Sequence, residues 1–86
     1  YQDRILTLTN HQIEIQGLDS LQIDGCNRMY CINDSILYAI PEAGIRKFII
    51  KQGRKLVDCG TFYDDIHFNS QAGFVQKPYI LVPTLE

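Results

Sequence analysis

The interpretation of this chain turns on IRKFIIKQGRKLVDC, which occupies residues 45–59. Gln52-Gly53 separates two runs that are rich in apolar residues, and glycine readily supplies the positive φ that a tight hairpin turn needs. The sequence therefore predicts two antiparallel strands, residues 45–51 and 54–59, joined at this dipeptide.

With that turn, residues whose numbers sum to 105 face one another across the hairpin, so that Lys51 opposes Arg54 and Lys47 opposes Asp58. Both faces are then apolar in the middle and basic at the end. The apolar side chains are expected to belong to the core: Phe48, Ile49, Leu56 and Val57. The cations at the end, Lys51, Arg54 and Lys55, are then available for binding, and we call them the basic tip.

A helix over residues 41–56 is the alternative for this region. Pro41 would suit a first helical position, and several apolar residues fall near helical spacing. Against it, Gly44 and Gly53 would each destabilise a helix interior by about 1 kcal/mol relative to alanine. We therefore favour the hairpin.

Alternation of polar and apolar residues continues along the chain, as in Gln12-Ile13-Glu14-Ile15-Gln16, and is typical of half-buried strands. Turn residues separate the runs, and Pro78 is expected to begin a strand or to lie on an edge. The predicted strands are residues 4–9, 12–16, 21–24, 28–32, 36–40, 45–51, 54–59, 63–68 and 78–83. Short, regularly spaced strands predict a mainly β fold, an antiparallel meander that forms a small barrel or sandwich with at most one short helix.

The chain of 86 residues is predicted to form a single small β-rich domain, residues 1–86. Its composition, 45% hydrophobic and 21% charged, is that of a globular domain. No window approaches the roughly 18 to 20 apolar residues of a membrane-spanning helix. Because the sequence begins with Tyr1 rather than methionine, we expect a product processed or excised from a longer chain.

Charge is distributed very unevenly. Residues 46–55 hold five of the eight basic side chains and no acid, whereas the other 76 residues carry three basic and ten acidic groups, a net charge of −7. A concentrated patch of one sign selects partners, although lysines on a hairpin also serve simply to prevent edge-to-edge aggregation. Nucleic acid is not favoured, because Phe48 is the only aromatic residue in the patch and the calculated pI is about 5.6.

No group of residues predicts an enzyme, a metal site or a cofactor. Tyr63, Asp65 and His67 would share one face of a strand, but a metal site needs further ligands, and the nearest in type are His11, Asp58 and Cys59. Cys59-Gly60 with a histidine base is the least unfavourable nucleophile, yet it has no surroundings that lower a thiol pKa. The isolated glycines build no phosphate-binding loop.

The cysteines leave their redox state open. Cys26, Cys31 and Cys59 are an odd number, so that reduced thiols in the core, one intrachain disulfide with a remaining thiol, and an interchain bond are all consistent with the sequence. Five tyrosines, Tyr1, Tyr30, Tyr38, Tyr63 and Tyr79, are numerous for this length. They would suit a ligand cavity or an interface, and a small barrel can hold one small apolar ligand.

Residues 36–73 contain a strand, a hairpin that includes IRK and a turn that reads IHFNSQAG. In this stretch the chain resembles the globular heads of minor pilins and pseudopilins, which carry similar strand meanders. The resemblance implies an extracytoplasmic pilin-like head, although the amino-terminal hydrophobic helix of that family is not in this sequence.

The sequence favours a non-catalytic protein-interaction module, a subunit or a sensory or assembly domain, that binds a protein partner or another copy of itself. The expected contacts are the basic tip, Lys51, Arg54 and Lys55, together with strand edges. The alternatives are a β-barrel that binds a small apolar ligand, a pilin-like head and a nucleic-acid-binding barrel.

Overall fold

The computed structural model describes residues 6–9, 12–23 and 25–85. They form nine strands: β1 (Leu6–Leu8), β2 (Gln12–Ile15), β3 (Asp19–Gln22), β4 (Arg28–Cys31), β5 (Ile36–Ile40), β6 (Ile45–Lys51), β7 (Lys55–Phe62), β8 (Phe74–Gln76) and β9 (Tyr79–Leu81). A short 3-10 helix, Ser70–Ala72, precedes β8. The described residues include no helix with the length and hydropathy that crossing a membrane requires.

All strand pairs are antiparallel, and they form three sheets with the orders β1-β2-β3, β4-β5-β6-β7 and β8-β9. The prediction of a mainly β fold built from an antiparallel meander is confirmed. The predicted strands over residues 36–40 and 45–51 coincide with β5 and β6. The predicted strand over residues 4–9 is described only from Leu6 onwards.

The main core lies between the first two sheets. Alternate residues of β2, Ile13 and Ile15, are completely buried against Leu37 of β5 and Phe48 of β6. A side chain of the first sheet also ties the two sheets together, because the Leu56 backbone N–H of β7 donates a hydrogen bond of 2.8 Å to the Asp19 carboxylate of β3. These two sheets form a sandwich with one sealed interior.

The four-stranded sheet has a second face, which is covered only in part. Tyr30, Tyr38 and Lys47 are register neighbours on β4, β5 and β6 and therefore share this face. The Tyr30 hydroxyl donates a hydrogen bond to the backbone carbonyl of Ser70. A Cβ at Gly73 would lie 2.5 Å from the Tyr30 hydroxyl oxygen, so only glycine permits this approach. The 3-10 helix and the start of β8 are thereby fixed over Tyr30.

The predicted hairpin at residues 45–59 is confirmed, but the predicted register of its strands is wrong by one residue. Gln52 and Gly53 both have positive φ, and the Arg54 N–H donates to the Lys51 carbonyl over 2.9 Å, as the predicted turn requires. Beyond the turn, however, Lys51 pairs with Lys55 rather than with Arg54.

Burial explains this shift. With the predicted register Lys55 would face Ile50 on the core side, whereas in the structure Leu56 faces Ile50 and both are buried. A one-residue slip moves every side chain of a strand to the other face, so the core selects Leu56 over the lysine. As a further consequence, Asp58 pairs with Phe48 and not with Lys47.

The predicted strand over residues 63–68 is wrong. Tyr63 has a positive φ of 56°, and the Ile66 N–H donates to the Tyr63 carbonyl over 3.0 Å, so the chain turns there. The Ile66 carbonyl in turn accepts the Gly44 N–H over 2.8 Å. Only Phe68 of this run makes a β-bridge, with Thr84. A strand that was not predicted, β8, takes its place and pairs with β9, which lies within the predicted strand at residues 78–83. Pro78 lies in the turn that precedes β9.

Candidate binding surfaces of the four-stranded sheet

The basic tip lies at the end of the longest hairpin of the described chain. Lys51, Arg54 and Lys55 are all exposed, and Lys51 faces Lys55 directly. Within the described chain, no carboxylate lies within 4.0 Å of any of these three cations. The arrangement therefore presents three positive charges to the solvent without a counter-ion among the described residues.

The other two cations of the basic segment lie apart from the tip. Arg46 donates to the Asp58 carboxylate at 2.5 Å, and its guanidinium carbon lies 5.5 Å from the centre of the Phe48 ring. The hydrogen bond from Arg46 lowers the pKa of Asp58, burial opposes this effect, and a hydrogen bond from the Gly60 N–H adds to it. Arg46 is thus part of the fold, and the cluster of five cations divides into separate groups.

Asp19 and Asp58 also occupy the outer edge of β7. Their carboxylates accept the backbone N–H groups of Leu56 and Gly60, respectively, over 2.8 Å. Gly60 has a φ of 94°. Arg46 pairs with Thr61 and Phe48 with Asp58, so that β7 contains one more residue than β6 between these two pairs. This bulge and the two carboxylates make the edge of β7 a poor template for another strand.

An apolar groove of about 400 Å³ lies between the second face of the four-stranded sheet and the β8–β9 hairpin. Tyr38, Ile40 and Ile45 line it from β5 and β6, and Tyr79 and Ile80 line it from β9.

Lys47 also lines the groove and is the one charged residue among the described residues that do. Phe62 and Tyr63 also line the groove and are largely exposed. The groove is thus open to solvent, although most of its walls are apolar.

Sequence reasoning identified some of these residues. Three of the five tyrosines, Tyr38, Tyr63 and Tyr79, line the groove. Tyr30 instead is buried and bonds to Ser70, and Tyr1 lies outside the described residues. The sequence analysis missed Lys47, although a lysine between Ile45 and Ile49 on one strand face was a detectable signal.

Among the described residues, those considered for metal binding do not converge. Within the described ranges, no three histidine, cysteine, aspartate or glutamate residues are placed to hold a metal ion. The His67 ring nitrogen Nδ1 lies 3.1 Å from the Glu42 carbonyl oxygen, and Asp65 is exposed in the turn. His11 lies outside the described residues.

The cysteines occupy three different environments and form no disulfide with one another. Cys26 is buried in the core, Cys59 is half-buried, and its thiol donates to the Val57 carbonyl over 3.8 Å. Cys31 is exposed as a residue, but desolvation of its sulfur raises the pKa of the thiol. A raised pKa lowers the thiolate fraction at neutral pH and so makes Cys31 a poor nucleophile.

Comparison of the chain with models of known protein families, with curated proteins and with solved structures finds no significant match. The two surfaces of the four-stranded sheet are therefore interpreted from their own geometry.

Proposed function

We propose that this domain is a non-catalytic interaction module that binds an acidic surface of a protein partner through Lys51, Arg54 and Lys55. One observation carries the proposal: three exposed cations share a hairpin end at which no described carboxylate pairs with them. Charged groups at such a position act mainly by selecting partners and by accelerating their association.

The register of the hairpin strengthens this argument. Lys51 and Lys55 face one another, and like charges directly opposite destabilise a strand pair by a few tenths of a kcal/mol. A carboxylate placed between them would remove that repulsion on binding. The alternative role, protection of a strand edge, is weakened because Asp19 and Asp58 already occupy the edge of β7.

An acidic protein surface fits the tip better than a nucleic acid does. Stacking on exposed aromatic side chains is a main contribution to the binding of single strands. The nearest exposed aromatic residue along β7 is Phe62, seven residues from Lys55, which corresponds to roughly 23 Å of extended strand. Phosphates would therefore find charge at the tip without a stacking platform beside it.

The test compares two charge reversals of equal size. Lys51→Glu/Arg54→Glu changes the basic tip, and Arg28→Glu/Lys77→Glu changes one arginine and one lysine that are exposed elsewhere. A fluorescent oligoglutamate peptide serves as the acidic probe, and a single-stranded oligonucleotide serves as the phosphate probe. Fluorescence anisotropy at low and at physiological ionic strength gives the affinities.

We expect the reversal at the tip to weaken peptide binding by about tenfold or more, whereas the control pair keeps most of the affinity. Adding Lys55→Glu should weaken it further. Equal losses of affinity in both pairs would show that the basic tip is not the binding site. Tighter binding of the oligonucleotide than of the peptide would indicate that the partner is a nucleic acid rather than an acidic protein.

Whether the partner is a second copy of the domain can be tested with the same protein samples. The residues outside positions 46–55 carry a net charge of −7 and can supply the acidic surface. Sedimentation equilibrium at low ionic strength would then show a dimer that salt or the Lys51→Glu/Arg54→Glu pair dissociates. A monomer under all conditions would assign the acidic surface to a different protein.

A further inference from the structure

We propose that the apolar groove between the four-stranded sheet and the β8–β9 hairpin binds a small amphipathic anion, an apolar chain or ring that ends in a carboxylate, with Lys47 as its counter-ion. This site is separate from the basic tip and concerns a small molecule rather than a protein. It requires no chemistry beyond binding.

The size of the groove fits such a ligand. Its volume of about 400 Å³ lies in the lower part of the range of roughly 300 to 1,000 Å³ that is usual for small-molecule sites. Ile40 is almost completely buried, whereas Ile45 and Ile80 remain half-buried, so part of the wall is still accessible to a ligand. Methylene groups that enter such an apolar site are removed from water, which favours binding of an apolar chain.

Lys47 supplies the preference for an anion. It is half-buried between Ile45 and Ile49 on the second face, where a packed sheet would favour an apolar side chain. Within the described chain, no carboxylate lies within 4.0 Å of its ammonium group. A cation that lines an apolar groove and has no counter-ion among the described residues is stabilised when a carboxylate approaches it.

Tyr38 provides a second polar group at the same position. It is the register partner of Lys47 on β5, and directly opposed residues have Cβ atoms only about 5 Å apart. Both side chains line the groove. The Tyr38 hydroxyl can therefore donate to the same carboxylate that the Lys47 ammonium binds, while the apolar part of the ligand lies along the isoleucines.

The proposed site can be separated from the basic tip experimentally. Lys47 and Lys51 are four residues apart on β6, or roughly 13 Å along the strand. Lys47→Met removes the cation of the groove, and Lys51→Met, a matched control, removes one cation of the tip. Lys47→Arg keeps the charge and shows whether loss of the lysine alone perturbs the fold.

Decanoate and decanol, which share one alkyl chain and differ in charge, are the probes, both used below the concentration at which decanoate forms micelles. Binding is followed by ¹H–¹⁵N correlation spectra, in which the amides of Ile45, Lys47 and Ile80 report on the groove. We expect decanoate to shift these resonances and to bind about tenfold more tightly than decanol, which corresponds to about 1.4 kcal/mol.

Lys47→Met should reduce the affinity for decanoate to that for decanol, whereas Lys47→Arg and Lys51→Met should keep the difference. Equal affinities for both probes in the unchanged protein, or a preference that survives Lys47→Met, would overturn the assignment of Lys47. No shift at the groove amides would overturn the site itself. Because these readouts do not involve Arg54 or Lys55, either result leaves the proposed protein contact to its own test.

Discussion

The two faces of the four-stranded sheet both carry apolar side chains but differ in how completely they are covered. The face toward β1, β2 and β3 carries Leu37 and Phe48, both completely buried. The opposite face carries Tyr38, Ile45 and Lys47 and is covered by the β8–β9 hairpin, in which Phe74 is 54% and Tyr79 67% exposed. The sealed face, toward the first sheet, holds the domain together, whereas the open face keeps apolar surface that solvent still reaches.

The difference shows how a small domain divides its apolar residues between stability and binding. A chain of this size has room for one well-packed core, and that core lies between the first two sheets. The remaining apolar side chains form a thin cover, whose contacts with Tyr30 fix its position. The following experiments test whether the two faces differ in energy as they do in geometry.

Truncation of a phenylalanine on each side should give the largest contrast. Phe48→Ala removes a completely buried ring and is expected to lower the free energy of unfolding by about 3 to 5 kcal/mol. That is a large part of the roughly 5 to 15 kcal/mol that a whole domain has, so the variant should unfold at a much lower urea concentration than the unchanged protein. Phe74→Ala should change stability by less than about 1 kcal/mol. Urea unfolding followed by circular dichroism measures both, and similar losses would contradict the division into sealed and open faces.

A substitution at Gly73 should displace the cover, that is, the 3-10 helix and the β8–β9 hairpin that lie over the second face. A Cβ there would meet the Tyr30 ring, with Cζ at 2.8 Å and the hydroxyl oxygen at 2.5 Å, and the backbone φ of −76° adds no strain of its own. Gly73→Ala is therefore expected to cost about 1 to 3 kcal/mol as a pure clash. In a Tyr30→Phe background, part of this cost should disappear because the closest atom is gone. Additive effects of the two substitutions would show that the approach of Gly73 to Tyr30 does not hold the cover in place.

The sequence predicted most strands and the turn at Gln52-Gly53, because alternation and turn chemistry are local properties. It did not predict the pairing of Lys51 with Lys55, since that depends on which side chain of β7 the core accepts, Leu56 or Lys55. The same limit applies to the groove. Alternation along β6 indicates on which face Lys47 lies, but the groove over that face exists only because β8 and β9 return to it.

The prediction of a strand over residues 63–68 was wrong for a related reason. Alternation suggested a strand, but Tyr63 adopts a left-handed conformation and Ile66 bonds to the Gly44 backbone instead of to a neighbouring strand. A Cβ at Gly44 would lie 2.7 Å from Thr61, so this close crossing depends on packing between distant segments. Such contacts are not encoded in any short window of sequence.

Substitution of Asp19 tests whether its hydrogen bond to β7 holds the first two sheets together. Asp19→Ala removes the carboxylate that accepts the Leu56 N–H and leaves that part-buried donor without its partner. We expect a loss of about 1 to 2 kcal/mol and faster hydrogen exchange at the Leu56 amide. Glu14→Ala is the control, because Glu14 lies on the neighbouring strand β2 and makes no comparable bond to the second sheet within the described chain. Unchanged exchange at Leu56 would mean that the sandwich closes without Asp19.

Arg46 and Asp58 form an ion pair at the margin of the sealed face, where Arg46 lies over the Phe48 ring. With side chains that are 24% and 34% exposed, the pair should contribute only about 0.2 to 1 kcal/mol. Because the pKa of Asp58 is lower in the folded state, its contribution is present above the ordinary carboxyl pKa of about 3.9 and is lost as the pH falls through the folded value. Asp58→Asn should therefore be less stable than the unchanged protein at pH 7, and the difference should shrink below about pH 4. A difference that stays constant with pH would assign the effect to side-chain packing or to the Gly60 hydrogen bond, rather than to the charge that Arg46 neutralises.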